Sequence, residues 1–287
     1  MKKIYSFLAA FALCANVFAQ DETSLTSKKG TPILPEEKEF AIGISANQFL
    51  NYVTRGAANP SFTYVNNPSN VPVALFGKKM LNANTALRAR FALNTGANTQ
   101  KAIVFASNIS PDPLAPSFNE DWRTVTSTDV LLAGGYEKRR GKGRLQGIYG
   151  GEFLFGVSGN RVKYQYGNAI TQDFNAPETT NFAGNTNNTN GFSRVLTERN
   201  SANLFVGARG FVGVEYFFAP KISIGGEFGY TLGGSIQGKG IVTTETWDSA
   251  AGSVRKIETE VFRNGGFSSI RAGVDNLNGA INVLFYF

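Results

Sequence analysis

"NLFVGARGFVGVEYFF", residues 203–218, is the densest apolar stretch beyond the first twenty residues, and its period decides what it builds. Arg209 and Glu215 interrupt it. Glycine, β-branched and aromatic residues dominate it, a composition that disfavours helix and favours strand. At period two it becomes orderly: Leu204, Val206, Ala208, Gly210, Val212, Val214, Tyr216 and Phe218 share one face. Asn203, Arg209 and Glu215 fall on the other. The pattern predicts a strand with one continuous apolar side and one mixed, charged side.

Outward from this stretch, the same alternation recurs. Leu87, Ala89, Phe91 and Leu93 oppose Arg88, Arg90 and Asn94; Tyr149, Phe153, Phe155 and Val157 oppose Gln146 and Glu152. Ile222, Ile224, Phe228, Tyr230, Leu232 and Ile236 oppose Ser223, Glu227 and Thr231. Phe40, Ile42 and Ile44 begin a further strand, and Val130, Leu132 and Tyr136 lie opposite Asp129 and Glu137 in another. "VPVALFGKKML" (71–81) reads as a strand of ambiguous parity. At the end of the sequence Ile281, Val283, Phe285 and Phe287 oppose Asn282, Leu284 and Tyr286, with a bulge expected at "DNLN" (275–278). Eight strands are predicted.

The amino-terminal residues specify export. Lys2 and Lys3 precede an apolar run from Ile4 to Val17, and Val17-Phe18-Ala19 fits the small-residue rule for cleavage before Gln20. That run is too short for a membrane-spanning helix. Removal of residues 1–19 as a signal peptide takes away two of the 28 basic residues and the single cysteine, leaving a formal charge of +5 against 21 acids. An exported chain without cysteine has no disulfides or thiolate ligands. Its basic residues are scattered among acids, and export argues against nucleic acid as partner. Acidic envelope glycans such as lipopolysaccharide are the more natural counter-charge.

Between the predicted strands, connections alternate in length. The segments after the first, third, fifth and seventh strands are long, whereas "NAN" (82–84), "RRGKGR" (139–144) and "APK" (219–221) are short. Short periplasmic turns and long outer loops are the pattern of outer-membrane barrels. A secreted β-sandwich also alternates along its strands. Loop asymmetry and the aromatic end favour the barrel. The expected fold is therefore all-β: an eight-stranded antiparallel transmembrane β-barrel over residues 39–287, preceded by a periplasmic tail over 20–38. The Thr171–Phe192 loop is Asn/Thr/Gly-rich and expected to be mobile, and residues 240–262 are expected to prolong the seventh and eighth strands as a hairpin. In the tail, "TPILPEE" (31–37) is a loose tether, a segment packed at the periplasmic mouth, or a docking point for a partner.

With these strands in place, the sequence resembles the small eight-stranded outer-membrane barrels, the class of the OmpA membrane domain and OmpX. "SKKGTPILPEEKEFAIG" (27–43) and "KKMLNANTALRARFAL" (78–93) look similar to outer-membrane proteins of uncharacterised Bacteroidota type. Ile281, Val283, Phe285 and Phe287 resemble the signal by which the barrel-assembly machinery recognises its clients. The resemblance implies insertion in the outer membrane among lipid and lipopolysaccharide. It does not extend to a peptidoglycan-binding domain, so no anchoring role is expected from it.

Chemistry is sparse. The histidine count is zero. Barrel enzymes activate serine or water with a base titrating near neutrality, for which histidine is the usual supplier. Zinc and copper likewise lose their preferred ligands. No catalytic residue, cofactor or metal site is expected. Parity instead sends Arg88, Arg90, Glu152, Arg209, Glu215 and Glu227 into the lumen, with Asp129 and Glu137 as further members. An eight-stranded barrel is just wide enough for side chains to fill. A paired charge network plugging the lumen is one reading, and an ion-selective constriction is the other. Tyr136, Tyr149, Tyr230, Phe285 and Phe287 are expected at the membrane interfaces, and Trp122 and Trp247 deep in the loops. The expected role is non-enzymatic: a rigid mount whose loops meet a surface glycan or protein ligand. A narrow pore, or an accessory subunit of an envelope complex, is the alternative.

Overall fold

The computed structural model describes residues 25–45, 75–107, 114, 116–182, 193–261 and 268–287. Residues 1–19, read above as a signal peptide, lie outside the described residues. The described residues hold eleven strands and no helix. In chain order these are β1 (Phe40–Ser45), β2 (Leu75–Asn82), β3 (Thr85–Phe105), β4 (Phe118–Lys142), β5 (Leu145–Gln165), β6 (Ser193–Arg199), β7 (Asn203–Ala219), β8 (Ile222–Gln237), β9 (Gly240–Asp248), β10 (Ser253–Val261) and β11 (Ser268–Tyr286). Every pairing is antiparallel.

Eight of the strands pair in a circuit. β1 pairs with β2, β2 with β3, β3 with β4 and β4 with β5; then β5 pairs with β7, β7 with β8, β8 with β11, and β11 with β1. The last junction extends one residue past β11, because Phe40 N donates to Phe287 O at 3.0 Å and Phe287 N to Phe40 O at 2.9 Å. The three tight connections lie at one end of the circuit, between β2 and β3, β4 and β5, and β7 and β8. Gly143 and Lys221 take positive φ there (64° and 61°), Lys221 at the cost of a conformation uncommon outside glycine. The β8–β11 ladder loses register between Asp275 and Ala280, where the sequence called for a bulge.

The sequence expectation falls short at the other end. Stretches predicted as loops continue as strand: β3 and β4 pair without a break from Thr85–Lys138 to Phe105–Phe118, and β5 follows β4 up to Gln165 opposite Trp122. β5 also changes partner along its length. It pairs with β7 from Leu145 to Ser158, then with β6 from Arg161 to Lys163. β6 pairs with β9, and β9 with β10, so residues 240–261 do not prolong the seventh and eighth predicted strands. They form a separate hairpin docked on β6. The result is a six-stranded extension, β3-β4-β5-β6-β9-β10, rising from one side of the circuit. Trp122 and Trp247 therefore sit in strands β4 and β9 and not in loops.

Burial is inverted relative to a soluble sheet protein. One face of the circuit buries Lys78, Arg88, Glu137, Glu152, Arg209 and Glu215, while the opposite face exposes Phe91, Leu132, Phe155, Val212 and Phe228. Phe153 on that outer face is 79% exposed.

Candidate functional site

The buried face of the circuit forms three layers. At the end with the tight turns, Phe76, Met80, Phe217, Leu284 and Tyr286 pack with Ile33, which comes from the amino-terminal tail and is 1% exposed. The tail is tied there. Lys221 N donates to Ile33 O at 3.1 Å, and Lys221 Nζ reaches Leu34 O at 3.0 Å and Glu39 Oε1 at 2.6 Å. Residues 31–37 thus close the mouth and are not a loose tether.

Above this plug lies the charged layer. Five cations (Lys78, Arg88, Arg90, Arg139, Arg209) meet four carboxylates (Glu137, Glu152, Glu215, Glu227), so the layer is close to neutral. Its lower half centres on Glu215, which accepts from Lys78 Nζ at 3.0 Å, Tyr286 OH at 2.7 Å, Ser223 Oγ and Arg139 Nη2. Its upper half joins Arg209 Nη1 to Glu227 at 2.9 Å and to Glu152 at 3.3 Å, with Arg90 on Glu152 as well. Arg88 links the halves, donating to Glu137 at 3.1 Å and Glu227 at 2.7 Å. Its Nε lies 2.5 Å from Glu152 Oε1 as an ion contact without hydrogen-bond alignment. The Arg88 guanidinium also covers the Phe211 ring at 3.9 Å.

Strand geometry explains why these groups converge. Glu152 and Arg209 are direct cross-strand partners on β5 and β7. Each inward glutamate faces an inward glycine on the neighbouring strand: Glu152 opposite Gly135, Glu137 opposite Gly150, Glu227 opposite Gly213 and Glu215 opposite Gly225. The missing side chains leave the volume that the long charged ones occupy. At Gly229 a Cβ would stand 2.4 Å from Arg209 Nε.

The six residues that parity sends inward, Arg88, Arg90, Glu152, Arg209, Glu215 and Glu227, are all in this layer, and Glu137 joins them. Asp129 does not; it is half-exposed on the extension side of β4. Lys78 and Arg139 were missed. Lys78 lies in the segment of ambiguous parity, and Arg139 in a basic run read as a turn. The signal for Arg139 was present, since it follows Glu137 by two residues and so shares its face.

Over the charges, Ala92, Leu131, Ala133, Leu154 and Phe205 make a second apolar layer. Beyond it the extension carries its own fixed loop. Asp121, fully buried, accepts from Gly167 N and Thr180 N, both at 2.9 Å. Asn168 donates to Phe105 O and Glu178 O and accepts from Ser107 N and Asn119 Nδ2. Residues 166–182 are held against β3 and β4 by these two side chains; they include 171–182 of the Thr171–Phe192 loop expected to be mobile, whose remainder lies outside the described residues. A cleft of about 370 Å³ opens between Glu120, Trp122, Gln165 and Tyr166. Arg194 stacks on Tyr166 at 4.4 Å and pairs with Glu245 at 2.7 Å, while Lys101 covers Trp122 at 3.9 Å. Burial pushes the Tyr166 phenol above its ordinary value, so it stays protonated and donates to Val195 O at 2.6 Å.

Ile281, Val283, Phe285 and Phe287 alternate along the outer face of β11 and just past its end, with Phe285 and Phe287 exposed. No protein-family model matches the chain, and no curated protein or solved structure shows significant similarity to it.

Proposed function

We propose that the eight-strand circuit is a closed transmembrane barrel of the outer membrane, plugged along its axis, which holds a non-enzymatic interaction platform above the surface. The inverted burial carries this reading: paired charges inside, aliphatic and aromatic side chains outside. A hydrocarbon surround is the environment in which that arrangement is stable, because lipid rewards the outer face and the interior pairs its own charges. Along β5 the outer face is apolar or aromatic from Leu145 to Val157, interrupted only by glycines. Twelve residue steps at ~3.3 Å, tilted by about 40°, span roughly 30 Å, the thickness of a bilayer's hydrocarbon core. The tight turns and the tail then lie on the periplasmic side, and the six-stranded extension faces outward.

In this reading lipid and lipopolysaccharide surround the barrel, and Ile281, Val283, Phe285 and Phe287 present the signal to the assembly machinery. The extension meets a surface glycan or a protein, using a backbone held rigid by long ladders and by the Asp121 and Asn168 clamps. The pore reading is the weaker one, since the tail plug, the charged layer and the Leu131–Leu154–Phe205 layer each cross the interior. Planar-bilayer recording tests the choice. The plugged barrel gives no stable unitary current; reproducible unitary steps would overturn it.

A further inference from the structure

On the outer face of the extension, directly above the apolar band, three basic side chains stand together. Arg161 on β5 and Arg199 on β6 are direct cross-strand partners, and Lys163 follows with Thr197 opposite. Alternation places Arg161 and Lys163 on the face that presents Phe153, Phe155 and Val157 lower down, with buried Val162 between them. All three basic residues are exposed. Like charges directly opposite one another weaken an antiparallel pair. The cations nearby are each engaged: Arg194 with Glu245, Lys239 with Glu260, Lys101 with Glu120, and Arg123 with Gln100. Arg161, Lys163 and Arg199 have no ion pair among the described residues. Two exposed arginines set face to face, without an ion pair among the described residues, leave a place for an external anion between them.

Position selects the anion. Arg161 comes four residues after Val157, which at ~3.3 Å per residue and a tilt of about 40° puts it roughly 10 Å above the last apolar side chain. That is the depth of lipid headgroups. We propose that Arg161, Lys163 and Arg199 form a site for the phosphorylated headgroup of an outer-leaflet lipid. The two guanidinium forks grip the phosphate from neighbouring strands, and Lys163 adds a point charge. The hydroxyls of Thr126 and Thr124, cross-strand from Arg161 and Lys163, supply further donors. The site rests on the barrel reading, which sets the height of the bilayer.

The test uses the full chain refolded into phosphatidylcholine nanodiscs doped with phosphorylated lipid A, or with the same lipid after phosphatase treatment. Lipid retained through detergent extraction is counted by native mass spectrometry. The site predicts selective retention of the phosphorylated form. Arg161→Gln with Arg199→Gln lowers that retention by about tenfold or more, as expected for losing charge-assisted bonds. Arg255→Gln, on the far edge strand β10, leaves it unchanged. Equal retention of both lipids, or no effect of the double substitution, would overturn the site while leaving the barrel standing. Displacement of the lipid by inorganic phosphate would reassign the site to a free anion and equally overturn it. A chain that never enters the nanodisc overturns the barrel reading itself.

Discussion

Arg209 Nη1 lies 2.9 Å from Glu227 Oε1, and both side chains are buried. The same nitrogen approaches Glu152 at 3.3 Å, so one guanidinium holds two carboxylates from β5 and β8. Replacing one member of such a group leaves charge stranded in a dry interior. Arg209→Met is expected to destabilise the folded protein by about 3–5 kcal/mol. Adding Glu227→Gln should recover part of that loss, since the substitutions are coupled and not additive. Urea unfolding in vesicles measures both. Conductance stays at background in each variant, because the apolar layers above and below remain.

Gly229 offers an independent route to the same network. A Cβ there would press on the Arg209 guanidinium at 2.4 Å. Gly229→Ala should cost about 1–3 kcal/mol by displacing it. In the Arg209→Met background the flexible methionine yields, and most of that cost disappears. Full additivity of the two substitutions would contradict the contact.

At the end with the tight turns, Ile33→Asp places an unpaired carboxylate among Phe76, Met80 and Phe217, at a penalty of several kcal/mol. The tail should leave the mouth rather than bury the charge. Hydrogen exchange of residues 25–39 would rise, while the β7–β8 ladder keeps its protection. Unchanged exchange in the tail would contradict the plug.

Asp121→Ala removes the acceptor for Gly167 N and Thr180 N. Thr180 is buried, and one orphaned buried donor costs about 1–3 kcal/mol, so exchange over residues 166–182 should accelerate roughly 10- to 100-fold. The circuit below the Leu131–Leu154–Phe205 layer should not respond.

How much of this was legible depends on whether a residue sits on a face with contrast. Between Leu204 and Phe218, or Phe153 and Val157, apolar and polar residues alternate, and parity alone placed Arg209 and Glu152 correctly on the inner face. In "VPVALFGKKML" two adjacent lysines compete for that face, so Lys78 was hidden. The upper halves of β3 and β4 carry Thr, Asn, Gly and Gln on both sides. With both faces wet there is no period to detect, and strand structure there follows from extending ladders already begun below. The β6–β9 pairing joins segments far apart in sequence, and nothing local in "SRVLTER" (193–199) names its partner. The inward glycines were visible as glycines, but their role depends on which strand lies opposite. Only the register supplies that.

The central claim is a closed, plugged barrel in a membrane. Electrophoretic migration in SDS, with and without boiling, tests it most directly on protein reconstituted in lipid vesicles. A circuit in which β11 pairs back to β1 has no open edge from which detergent can unzip it, so the unboiled chain should run as a compact band displaced from the boiled one. Identical migration before and after boiling would contradict the account.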